Sequence, residues 1–425
     1  MGFIDELKWR GMLQDIMPGA PEQLEKEMTS VYIGFDPTAE SLHIGSLVPI
    51  LLLVHLQRHG HKPIALIGGA TGMIGDPSGK SQERNLLTEE VLARNVNGIK
   101  AQLSKYLDFN PGITNSAELV NNYDWFRNIS FIEFLRDTGK HITVNYMMAK
   151  ESVKKRIEGE VGLSYTEFAY QLMQGYDFYW LYRNKNVKMQ MGGSDQWGNM
   201  TTGTELVRRK AGGEAFACTC PLIKKTDGTK FGKTEKGNVW LDPNRTSPYE
   251  FYQFWLNATD ADAASWIKIF TFLAEPQITE IIARHQQNPG ARELQKVLAR
   301  EVTTFVHGQE EYEKAIATTE KLFANMTAPA SSLSEADLES MAGVVKMDYP
   351  TDKISSGIDV ISFLAETTIF PSKGEARKMI QNGGVSINRN KVTDINQTIS
   401  LADLLHGKFL LIQKGKKHYY LVRII

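Results

Sequence analysis

A chain of 425 residues, 42% hydrophobic and 23% charged, is composed as a soluble globular protein and is long enough for two or three domains. Its longest apolar run, Leu47 to Leu56, contains a proline and a histidine and falls well short of the roughly 20 apolar residues that cross a bilayer, so it reads as a buried helix. The net charge of −1 is unevenly spread: residues 353–425 carry +6 and the remainder −7, which suggests a basic module meeting a polyanion or, equally on charge alone, a solvated basic face.

The N-terminal MGFIDELKWR has acids where a signal peptide needs apolar residues. Glu6 stands where a myristoylation signal wants Ser or Thr, so a cytoplasmic protein is expected. From Val31 the chain alternates short apolar runs with helical patterns: VYIGF (31–35) and PIALIG (63–68) read as buried parallel strands, joined by an amphipathic helix from about Leu47 to His59. Further strands are predicted near Val187–Met191 and Ala215–Ile223. Together they predict a doubly wound α/β, Rossmann-like domain over 1–220, with ligands at the carboxyl ends of its strands. Residues 221–247 form a loop and connector. Past Pro248 the aromatic and apolar spacing is helical, giving a helical domain over 248–326, a linker over 327–351, and the basic α+β module over 352–425. Cys218 and Cys220, one residue apart in an extended stretch and without further Cys or His at ligand spacing, read as structural thiols, and no protein-bound metal is expected.

Several segments carry chemistry. In GFDPTAESLHIGSL the glycines Gly34 and Gly45 permit close backbone approach, and a helix starting near Ser46 points its N-terminus at the same place, an anion site where Thr38 and His43 can donate to phosphate oxygens. GGATGMIGDPSGKS is Gly-rich, yet Ile74 occupies the position of the first glycine of a phosphate-binding loop, and no G-x-G-x-x-G occurs. Asp76 at its turn is a candidate for an ammonium group. Between Ser164 and Trp180, the side chains of Tyr170, Gln174 and Asp177 fall at i, i+4 and i+7 on one helical face, which reads as a polar pocket or, in the blander reading, a solvated face. MGGSDQWGN places Asp195 and Gln196 after two glycines, near a ribose hydroxyl or an amine. DGTKFGKT carries Lys230 and Lys233 on a loop that can close over a triphosphate or can simply be solvated.

These pieces in this order resemble a class I aminoacyl-tRNA synthetase. HIGS (43–46) is similar to its HIGH signature, with Ser46 in place of the second histidine, and KFGKT (230–234) to its KMSKS signature. The strings YIGFDPTAESLHIG, GGATGMIGDPSG, NYDW, VNYMMAKESV, YQLMQGYDF, GGSDQWGN, DGTKFGKT and SPYEFYQFW resemble the bacterial-type tyrosyl branch. SKGEARKMIQNGGVSINRNKV (372–392) resembles the small RNA-binding module, first recognised in a ribosomal protein, that this branch carries at its C-terminus, with Asn388-Arg389-Asn390 where Asn-Gly is usual.

The resemblance implies roles for these residues. Tyr32 and Asp177 bond the substrate phenol, Tyr170, Gln174 and Asp76 hold its α-ammonium group, and Gln190 completes the tyrosine site. Thr38, His43, Lys230 and Lys233 act on the ATP phosphates, with Gly34, Asp36, Gly45, Ser46, Lys80, Arg84, Gly193, Asp195, Gln196 and Thr234 as further nucleotide contacts. Lys373, Arg377, Lys378, Lys414, Lys416 and Lys417 would meet RNA. It implies ATP as substrate, Mg²⁺ carried with ATP, L-tyrosine and its tRNA as partners, a homodimer, and no membrane. Rival readings are a tryptophanyl enzyme of the same class, a nucleotidyltransferase with a related HIGH-type site, and a non-catalytic RNA-binding protein on the same scaffold.

Overall fold

The computed structural model describes residues 2–78, 87–159, 162–229, 231–234, 237–323, 328–341, 344–415 and 418–425. Five parallel strands form the first sheet: β1 (Ser30–Phe35), β2 (Lys62–Ile67), β3 (Glu118–Asn121), β4 (Val187–Gly193) and β5 (Phe216–Cys220), in the order β3-β2-β1-β4-β5. The near-continuous burial of β1, β2, β4 and β5 is what a parallel sheet covered on both faces requires. Because β2 lies on one side of β1 and β4 on the other, the chain reverses its winding there, and the crevice beyond the carboxyl ends of β1 and β4 is the natural ligand site. The sequence predicted four of these strands to within a few residues; the short β3 carries too little periodic signal to be seen.

Helix Leu47–Arg58 is buried along almost all of its length, as its long apolar run predicts. Helix Tyr165–Lys185 begins where Ser164 accepts the Glu167 N–H and ends at Asn186 in the left-handed region. It packs against helix Trp197–Ala211 through two glycines. A Cβ on Gly203 would lie 2.9 Å from the Phe178 side chain, and one on Gly175 would lie 3.3 Å from Thr202, so the small residues allow the close approach that aims the first helix at the crevice.

Two compact units emerge: residues 1–245 with 259–294, and residues 246–258 with 295–425. This departs from the expected helical domain over 248–326, because helices Asp260–Phe270 and Glu275–Gln287 belong with the parallel sheet. The buried Arg10 guanidinium donates to the carbonyls of Lys268, Thr271 and Leu273 at 2.6, 2.9 and 2.9 Å, and Asp262 accepts the Thr226 N–H at 2.8 Å. In the second unit, a five-stranded sheet runs Asn390–Lys391, Val385–Ile387, Phe409–Lys414, His418–Ile424, Val345–Tyr349. Its last strand lies inside the expected 327–351 linker: Val345–Tyr349 pairs in parallel with the C-terminal strand, so the module starts before residue 352. The KMDY stretch alternates too briefly to be told from a loop by sequence.

Candidate functional site

A cavity of about 540 Å³ opens at the carboxyl ends of β1 and β4. At its inner end Asp177, only 2% exposed, accepts hydrogen bonds from Nδ2 of Asn122 at 3.0 Å and Nε1 of Trp125 at 2.9 Å. Burial pushes its carboxyl up to about 8, against the pull of these two donors and with a further push from Asp36. Tyr32 and Gln190 stand side by side on β1 and β4 and line the same wall. Among the described residues the buried Tyr32 hydroxyl and Oε1 of Gln190 have no hydrogen-bond partner. Burial, with Asp177 nearby, raises the Tyr32 phenol well above its ordinary range, so it remains a donor.

Next along the wall, the Tyr170 hydroxyl donates to Oδ2 of Asp36 at 2.7 Å, and the Thr71 hydroxyl donates to Oδ1 at 2.8 Å. Asn122 donates to Thr71 at 3.0 Å, so one network joins Asp36 to Asp177 through Thr71 and Asn122. Because the Tyr170 O–H donates its hydrogen bond to Asp36, its oxygen lone pairs are left to accept from a cation. Gln174 accepts from Asn199 at 3.0 Å, and Asp76 accepts from Gln196 at 2.7 Å and from the Ser78 N–H at 3.0 Å. All three line the cavity. The i, i+4, i+7 face of the Tyr165–Lys185 helix is therefore a pocket wall. Asp36 and Gln196, expected at the nucleotide, here hold Tyr170 and Asp76 in place.

The HIGS segment forms the outer rim, where Gly34, Thr38, His43, Gly45, Ser46, Gly193 and Asp195 also line the cavity. Nδ1 of His43 accepts the Gly45 N–H at 3.0 Å, which leaves Nε2 to carry the ring proton. A Cβ on Gly45 would sit 2.8 Å from the imidazole, so any larger residue there would have to push the His43 ring aside. The main chain on either side of His43 is tied to the segment after the lysine loop: Ile44 N–H donates to Val239 at 2.9 Å and Leu241 N–H to Leu42 at 2.9 Å. Phe231 stacks on Phe270 at 5.2 Å and meets the edge of Trp266 at 4.9 Å. The HIGS segment and Phe231 of the KFGKT string thus border one cavity.

Comparison with known proteins decides between the readings that the geometry leaves open. The family model for class I tRNA synthetases of the tryptophan and tyrosine kind matches residues 24–324, and a model of the C-terminal domain of tyrosine-tRNA ligases matches residues 341–422. The chain is 58% identical over 429 residues to a tyrosine-tRNA ligase of Bacteroides thetaiotaomicron and 59% identical over 427 residues to one of Porphyromonas gingivalis; each match covers 99% of both chains. The chain belongs to the tyrosine-tRNA ligase family. Among solved structures, a C-terminally truncated mitochondrial tyrosyl-tRNA synthetase of Aspergillus nidulans superimposes with a TM-score of 0.68 at 29% identity, covering 76% of this chain and 94% of that one.

Other expected contacts of this tyrosine-tRNA ligase family member are distributed differently. Lys80, Arg84, Lys230, Lys416 and Lys417 lie outside the described residues, and for Lys233 and Thr234 only the backbone is described, as a short strand paired with Gly237–Asn238. In the module, Lys373, Arg377 and Lys378 are exposed on helix Lys373–Gln381. Lys414 is engaged within the fold, donating to the Ile369 carbonyl at 2.9 Å above the Phe370 ring. Sequence reading missed Thr71, Asn122 and Trp125. The NYDW string marks the last two, but nothing local says that they face Asp177. It also passed over Lys224, a cation at the cavity wall. Cys218 and Cys220 are buried free thiols, each pushed up to about 12 chiefly by burial. Among the described residues no group of His, Cys, Asp and Glu is placed to hold a metal ion, and no helix is long and apolar enough to cross a membrane.

Proposed function

We propose that the cavity binds L-tyrosine with its phenol against Tyr32, Asp177 and Gln190 and its α-ammonium group against Tyr170, Gln174 and Asp76. One observation carries this reading: the unpartnered buried polar groups at the inner end and the glycine-lined HIGS rim border the same cavity. A pocket that bonds a hydroxyl leaves its own buried groups unpaired when phenylalanine enters, which selects tyrosine without an editing step.

The chain joins tyrosine to tRNA. The tyrosine carboxylate attacks the α-phosphate of ATP at the rim, forming tyrosyl-adenylate and releasing pyrophosphate. No protein nucleophile is required. His43 and Thr38, with Lys230 and Lys233, would grip the pyrophosphate more tightly in the transition state than in bound ATP, which is what accelerates the step. Gly34, Gly45, Ser46, Gly193 and Asp195 would pack on the nucleotide, and Mg²⁺ would enter with the phosphates of ATP. The terminal ribose hydroxyl of the tRNA then takes the tyrosyl group, with the basic face of the C-terminal module holding the RNA in a cytoplasmic setting. Tyrosine-dependent exchange of pyrophosphate into ATP, measured with each amino acid in turn, tests the reading. Exchange with tryptophan alone, or with none, refutes it.

A homodimer is the second part of the proposal. An apolar groove of about 520 Å³ is lined by Phe131, Val144 and Tyr165, which are 63, 61 and 64% exposed, among other apolar side chains. So many large apolar side chains in one region mark an interface, and a second copy of the chain is the self-complementary occupant. Sedimentation of a Val144→Asp variant as a monomer, against a dimeric parent, is the expected result.

A further inference from the structure

The turn between strands Val385–Ile387 and Asn390–Lys391 has two central residues, Asn388 and Arg389, with φ of 50° and 66°. A two-residue hairpin of this hand favours Asn followed by Gly, and Asn388 suits it: its side chain donates to the Asp403 carbonyl at 2.6 Å and accepts the Leu411 N–H at 2.9 Å. Arginine in the left-handed region is another matter. Strain of that kind persists where the side chain has work that outweighs it.

The Arg389 guanidinium reaches out of the module. Its Nη2 donates to the Lys321 carbonyl in the last turn of helix Gln309–Phe323 at 2.8 Å, and its Nη1 donates to the Ala328 carbonyl at 3.0 Å. A cation on the terminal carbonyls of a helix also meets the negative end of its dipole. Other groups of the module follow the same seam. His406, likewise left-handed with φ of 51°, bonds the Leu333 carbonyl at 2.6 Å, and Lys408 bridges Glu335 and Glu339 at 2.6 and 3.1 Å. On the other side Lys321 pairs with Asp337 at 2.9 Å. The 328–341 segment, which sequence alone reads as a linker, is thus held at both ends.

We infer that Arg389 is a positioning residue that fixes the C-terminal module to the end of the Gln309–Phe323 helix and to the 328–341 segment, and thereby sets where the basic face of the module meets tRNA. The inference rests on the proposed RNA role of that module. Its test uses the full chain carrying Arg389→Gly, because glycine suits the left-handed turn and deletes the two outward bonds; Arg389→Asn serves as a second left-handed-tolerant variant. Limited proteolysis read by mass spectrometry should cut the 328–341 segment several-fold faster. The KM for tRNA should rise roughly five- to twentyfold, in line with the loss of two charge-assisted bonds, while the charging kcat and tyrosine-dependent pyrophosphate exchange stay unchanged. Arg389→Lys should recover part of the loss. Unchanged cleavage overturns the tether, and faster cleavage with an unchanged tRNA KM overturns its positioning role. If instead a chain ending at Phe323 charges tRNA as well as the full chain, the RNA reading of the module fails, and the cleavage comparison still decides the tether.

Discussion

The hydroxyl of Tyr170 and the carboxylate of Asp36 lie 2.7 Å apart although 134 residues separate them in the chain. The bond decides what each can do. Asp36 accepts the phenol's hydrogen bond, and Tyr170 is left presenting lone pairs to the cavity, suited to an incoming ammonium group. Burial and the Asp36 charge hold the Tyr170 phenol well above its ordinary range, so the arrangement persists at any physiological pH.

Replacing Tyr170 by Phe removes the acceptor and leaves Asp36 with one fewer donor. The KM for tyrosine in the exchange reaction should rise about tenfold or more, equivalent to roughly 1.4 kcal/mol or above, with the KM for ATP little changed. An equal rise in both would place Tyr170 outside the tyrosine subsite.

Asp177 yields a pH prediction. Its carboxyl is raised to about 8 in the folded protein, so below that pH the pocket holds mostly the neutral acid, and the carboxylate that accepts a phenol proton builds up as pH rises. Tyrosine KM should therefore fall between pH 6.5 and 8.5, and Asp177→Asn should flatten that profile. The same shift acts on stability. The unfolded chain releases this proton near pH 4, so the favourable contribution is complete below that value and lost as pH rises through about 8. Melting curves at pH 5 and 8.5 should show a smaller decline for Asp177→Asn than for the parent.

Trp125 donates to Asp177 and stacks face to face on Trp180 at 4.2 Å. Trp125→Phe keeps an aromatic ring and deletes the N–H. Leaving a buried carboxyl short of a donor costs about 1–3 kcal/mol, and tyrosine KM should rise by roughly tenfold while circular dichroism is unchanged. Unaltered tyrosine kinetics would show that Asn122 alone orients the carboxylate.

Arg156 and Glu167 form a buried two-pronged ion pair, with bonds of 2.9 and 2.7 Å. Arg156→Ala strands a buried carboxylate and should destabilise the first unit by about 3–5 kcal/mol. Replacing both partners with apolar residues of similar volume should restore most of that loss in denaturant titrations. Equal destabilisation in the single and double variants would mean that lost packing dominates.

Local signals in the chain told a good deal by themselves. The strand, turn and helix N-terminus around Gly34, His43 and Gly45, and the shared face of Tyr170, Gln174 and Asp177, were legible because period, glycine placement and helical spacing are properties of neighbours in sequence. Tertiary structure alone decided which partners those residues meet. Asn122 and Trp125 reach Asp177 because β3 pairs beside β2, and helix Asp260–Phe270 joins the first unit through partners as distant as Arg10, some 260 residues earlier, which bonds carbonyls at its end. Strand Val345–Tyr349 likewise became visible only beside the C-terminal strand. A hydrogen bond across such distances leaves no periodic mark in the residues that make it, since its energy depends on two surfaces that only the folded chain brings into contact.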